Sequence, residues 1–111
     1  MKNELQNEKS PDHVTLHPAA DVEETSSGVE ILFEMPGVKG ADVEIEAGNG
    51  MLKVEGKSSL RRNGLPVVFK RSFYISDDVD VEKIRATSEN GILTLTLPKL
   101  PSAMPRRIKV G

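Results

Sequence analysis

The sequence predicts an all-β, immunoglobulin-like antiparallel sandwich of about seven to eight short strands. Three observations predict it. Apolar residues alternate with polar ones in every apolar segment, the mark of a half-buried strand, as in "ILTLTLP", where Leu93, Leu95 and Leu97 are separated by Thr94 and Thr96. Turn chemistry recurs at intervals of about 8–12 residues, the spacing of a sandwich. No segment sustains the 3.6-residue period of an amphipathic helix.

Residues 1–18 are polar, hold Pro11 and Pro18, and have no period strong enough to order them, so they predict a flexible N-terminal arm. Residues 19–99 form the domain. Its first strand lies near Ala20 to Glu24, and "SSG" turns the chain into a second strand from Val29 to Met35. There Val29, Ile31, Phe33 and Met35 share the inner face, with Glu30 and Glu34 outside. Pro36 and Gly37 stop it, because proline cannot donate to a ladder and glycine tolerates positive φ. "ADVEIEA" and "MLKVEGK" alternate around "GNG" and read as a hairpin, with Val43 and Ile45 facing one way and Asp42, Glu44 and Glu46 the other. "VVFKRSFYI" sets Val67, Phe69, Arg71, Phe73 and Ile75 on one side, and Asn63-Gly64 before it predicts a plain two-residue hairpin turn. "SDDVDVEK" has room for one helical turn, "IRAT" for a short strand, and Asn90-Gly91 opens the last strand. Residues 100–111 form a tail, and the spacing of Pro98, Pro101 and Pro105 after the last strand predicts an extended spacer ahead of "IKV".

Composition narrows the function classes. With 4% aromatic residues and no Trp, the core must be built from Val, Ile and Leu. No cysteine means no disulfide, thiolate nucleophile or Cys-ligated metal, which fits a cytoplasmic address. A net charge of −2 without clustered Lys and Arg argues against a nucleic-acid partner, and no apolar run argues for a membrane span. His13 and His17 are four apart, but Pro11 and Pro18 bracket them and no third ligand is placed to complete a metal site. Ser, His and Asp occur without a nucleophile elbow, and the glycines of "GVKGADVEIEAGNG" precede no helix that would hold a phosphate. The chain therefore predicts neither an enzyme nor a cofactor.

"ATSENGILTLTLPK" resembles the signature of the small heat-shock protein family, an Ala, three variable residues, Asn-Gly, an apolar residue and Leu, here Ala86, Asn90, Gly91, Ile92 and Leu93. "EMPGVKGADVEIE" is similar to the family's Pro-Gly segment, "FKRSFYI" to its strand with a central Arg between aromatics, and "IKV" to its C-terminal Ile-x-Ile/Val motif. The four ordered matches fall within residues 19–110. They imply a sandwich of the α-crystallin domain type and an ATP-independent holdase chaperone, which binds unfolded client proteins and suppresses their aggregation by mass action. The alternative is a co-chaperone or scaffold module of related fold that binds one folded partner.

Ile108 and Val110 flank Lys109, so an extended chain presents both on one side about 6.6 Å apart. Such knobs suit a groove, and the expected one lies between "VEIE" and "IRA", lined by Val43, Ile45, Ile84 and Ala86. Arg71 shares a side with Phe69 and Phe73, where a guanidinium must be paired, which predicts an acidic partner at a sheet edge or a dimer seam, and the resemblance favours the seam. Within residues 1–18 only Leu5, Val14 and Leu16 are larger apolar groups, too little apolar area for a large shell, so self-association should stop at a dimer or small oligomer.

Overall fold

A computed structural model describes residues 12–111. Eight strands form two four-stranded sheets: β1 (Val14–Leu16), β2 (Ala20–Thr25), β3 (Gly28–Glu34), β4 (Val38–Gly48), β5 (Met51–Arg62), β6 (Leu65–Tyr74), β7 (Arg85–Glu89) and β8 (Ile92–Pro98). One sheet runs β1-β6-β5-β4 and the other β2-β3-β8-β7. The only helical pieces among the described residues are two 3₁₀ turns, at Val81–Lys83 and Pro101–Ala103. The all-β sandwich expected from alternation is the observed fold.

Alternation becomes burial in the central strands. Ile31, Phe33 and Met35 from the β3 segment meet Leu93, Leu95 and Leu97 of β8, all but excluded from solvent, and β5 supplies Leu52 and Val54 from the facing sheet. The Phe33 and Phe73 rings, 5.7 Å apart and tilted by 56°, tie the two sheets together. Three Asn-Gly pairs make the tight turns. Asn49, Asn63 and Asn90 have φ of 52°, 53° and 53°, and the glycines that follow have 76°, 78° and 78°. Positive φ at both central positions is what a twist-compatible two-residue hairpin requires. Asn63-Gly64 accordingly closes a plain long hairpin of β5 and β6, whose last pair is Arg62 with Leu65.

Three local expectations change. Val14–Leu16, inside the stretch read as a flexible arm, pairs in parallel with Val67–Phe69 of β6. Its partner lies more than fifty positions away, and three residues carry too little periodicity to announce a strand. Residues 1–11 of that arm lie outside the described residues. Pro36-Gly37 stops β3 as expected, with Val38 N–H donating to the Met35 carbonyl at 3.1 Å, but the next strand starts at Val38, ahead of "ADVEIEA", with an irregular register up to Val43. The spacer after β8 is not wholly extended, because Leu100 N–H donates to Asp78 O at 2.7 Å and Pro101–Ala103 then makes a turn.

Candidate functional site

A two-sheet sandwich has two open sides, each bounded by one edge strand from each sheet. On the first side the edges are β4 and β7. Alternation along β4 turns Val43 and Ile45 toward the core, against which both pack half-buried, and leaves Asp42, Glu44 and Glu46 exposed. Ile84, at the end of the 3₁₀ turn that leads into β7, also packs on the core half-buried. Ala86 sits opposite Leu95 in the β7–β8 ladder, and because β7 is an edge it remains exposed. The structure thus brings the four residues expected to line a groove to one open side. Both flanking strands keep one row of backbone groups free of a sheet neighbour.

The tail leaves the sandwich at Leu100. Beyond the second 3₁₀ turn it has no secondary structure, and Ile108 and Val110 are 84% and 92% exposed. It does not fold back onto its own β4–β7 side. The two halves of the expected contact therefore exist as separate surfaces of the same chain.

Asn90-Gly91 connects two of the sequence motifs. Met35 N–H donates to Gly91 O at 2.7 Å, so the turn that opens β8 is also the anchor of the Pro-Gly segment that leads into β4. Gly91 thus extends the β3–β8 ladder by one backbone bond, up to the Pro-Gly turn.

Arg71 differs from its expectation. Its Nη1 donates to the Pro18 carbonyl at 2.8 Å, and its guanidinium lies 4.9 Å from the centre of the Phe73 ring. No acidic side chain bonds to it among the described residues. A flat cation with several N–H donors can be satisfied by a carbonyl at its edge and a ring at its face, and β1 delivers that carbonyl. His17 supports the same corner, its Nδ1 donating to Lys70 O at 3.0 Å, while the His13 ring turns to Asp12 at 2.8 Å. The two imidazoles thus serve different partners.

The second open side was not foreseen. Between the edge strand β2 and the end of β6 lies a cavity of about 450 Å³, lined mainly by Val22, Val29, Ile31, Phe73 and Ile75, with Tyr74 beside it 90% exposed. Val22 and Tyr74 were the available signals. Both are large residues in strands that prove to have an unpaired edge.

Comparison with known proteins agrees with this architecture. The model of the Hsp20/alpha crystallin family matches residues 21–111. The spore protein SP21 of Stigmatella aurantiaca is 33% identical over 104 residues, covering 85% of this chain and 62% of its own length. The 22.0 kDa heat shock protein of Arabidopsis thaliana is 38% identical over 108 residues, covering 86% of this chain and 54% of its own. The chain thus spans little more than half the length of these relatives. Among solved structures, a small heat-shock protein from Xylella fastidiosa superimposes with a TM-score of 0.67 at 27% identity, covering 86% of this chain and 97% of that one. Heat shock protein 16.0 from Schizosaccharomyces pombe gives 0.66 at 29% identity, covering 86% and 99%. A match over nearly the whole sandwich and tail, with the same fold in both solved relatives, establishes that the chain belongs to the Hsp20/alpha crystallin family of small heat-shock chaperones.

Proposed function

We propose that the chain is an ATP-independent holdase that binds unfolded or partly folded proteins in the cytoplasm and lowers their free concentration, and with it their aggregation. The observation that carries this reading is the β4–β7 side, where Val43, Ile45, Ile84 and Ala86 lie between two unpaired strand edges. An extended segment placed there gains main-chain hydrogen bonds along an edge and buries alternate side chains. Such recognition is largely indifferent to sequence, as a client binder requires. No reaction is needed for it.

In the resting protein the segment placed there is the tail of another copy, with Ile108 and Val110 as the knobs. Burying both contributes about 3–6 kcal/mol before association and ordering costs, at roughly 1.5–3 kcal/mol per side chain, which leaves a reversible contact. Assembly to a dimer or small oligomer follows. Arg71 stands close to the part of the β6 edge that β1 leaves uncovered, a position suited to a dimer seam.

The test is suppression of aggregation of a heated model client without nucleotide, with the mass of the protein followed by light scattering. Protection at near-equimolar ratio is the expected result. No protection at several-fold molar excess would refute the holdase and favour the alternative, a module that binds one folded partner.

A further inference from the structure

We propose that charge on the outer face of β4 selects which segment docks on the β4–β7 side, favouring a tail with cations beside its two apolar knobs. This deepens the tail contact just described and rests on it. The argument is one of alternation. A strand laid along the free edge of β4 shares the sheet's two faces, so if Ile108 and Val110 point inward beside Val43 and Ile45, Arg107 and Lys109 must point outward. The outward residues of β4 are Asp42, Glu44 and Glu46. Two cations therefore lie along three carboxylates in the same arrangement that seats the two apolar knobs.

Two features of the free chain favour this occupant. Among the described residues, Asp42, Glu44 and Glu46 form no ion pair, and neither do Arg107 and Lys109. Glu44 also stands directly opposite Glu55 in the β4–β5 ladder, a like-charge pair of the kind that destabilises a sheet, whereas Glu46 faces Lys53. A cation arriving beside Glu44 relieves that repulsion. An uncharged segment with the same two knobs does not. The tail's own exposure, with Pro101 and Pro105 stiffening the approach to it, directs it to another copy.

The experiment measures self-association of the full chain by sedimentation across a concentration series. Wild-type association should weaken about 3- to 10-fold between roughly 50 and 500 mM salt, since screening at the higher value acts within a few ångströms. At low salt, Glu44→Lys and the pair Arg107→Glu with Lys109→Glu should each weaken it by about 3- to 30-fold, and combining them should restore it to within about threefold. Glu44→Lys replaces a repulsive cross-strand pair with an attractive one, so the fold is retained and lost association is not unfolding. Ile108→Ala with Val110→Ala should reduce the protein to dimers or monomers at any salt.

If that apolar double variant leaves association unchanged, the tail contact fails and the charge selection with it. If it lowers the mass to dimers or monomers while salt and every charge reversal have no effect, the contact stands and charge selection is refuted. A charge-dependent contact in a species that never exceeds one chain overturns the assignment to a second copy.

Discussion

Replacing Arg71 by Ala removes two interactions at once. Nη1 no longer donates to the Pro18 carbonyl, and no cation remains over the Phe73 ring. A hydrogen bond from a charged donor is worth about 1.5–3 kcal/mol and a cation–π contact about 0.5–1 kcal/mol, both lower when partly solvated. Because Arg71 is half-buried, the expected loss is about 1–3 kcal/mol. For a domain of this size that corresponds to a fall in Tm of roughly 5–20 °C. Arg71 and His17 supply the side-chain bonds that hold the chain following β1 to β6, so without Arg71 β1 should release from β6 before the rest unfolds. Thermal melts at two concentrations a hundredfold apart, with amide exchange at Val14–Leu16, separate the two roles of this residue. A concentration-independent loss with faster exchange there marks the clamp within the chain. A Tm unchanged to within a degree, together with a lower mass in solution, would refute the clamp and leave the seam as the whole role of Arg71.

Two further substitutions test the packing. Leu95→Ala, at a fully buried position of β8, should cost about 2–5 kcal/mol in a chemical-denaturation midpoint shift at constant m-value, whereas Thr94→Ala on the outer face should stay within about 0.5 kcal/mol. Gly28→Ala would place a Cβ 2.2 Å from the Leu97 carbonyl oxygen and 2.9 Å from Pro98 Cα, so the β3–β8 pairing must part at that end. A loss of about 2–4 kcal/mol is expected, from the clash and from strain at φ +156°, and wild-type stability would show that the two strands separate there at no cost.

How much could be read in advance depended on the range of the forces involved. Alternation and turn chemistry act within a few residues, so β3, β8, the β5–β6 hairpin and the Asn90-Gly91 turn were legible in the order of the side chains. The inward row of β4 was legible too, because Val43 and Ile45 alternate with carboxylates along an edge strand. What was hidden depends on distant parts of the chain. The pairing of β1 is parallel and non-local, and its consequence, a carbonyl delivered to Arg71, replaced the acidic partner that local reasoning supplied. The cavity beside Val22 and Tyr74 exists only because β2 and the end of β6 come to the same side of the sandwich, which no local pattern encodes.

The unequal composition of the two sheets sets an order of assembly. Strands β4, β5 and β6 are a continuous meander joined by two-residue turns, so their pairings close over short stretches of chain. The other sheet is made from two hairpins, β2 with β3 and β7 with β8, held apart by everything between Glu34 and Arg85. An isolated hairpin is marginal in water, and loop-closure entropy must be met before the β3–β8 contacts can repay it. That seam unites Ile31 with Leu95 and Phe33 with Leu93, the most buried pairs in the protein. Folding speed is therefore governed by how readily the two ends of the chain find each other around a meander that is already formed. A nascent chain cannot complete its core until its last strand has been synthesised.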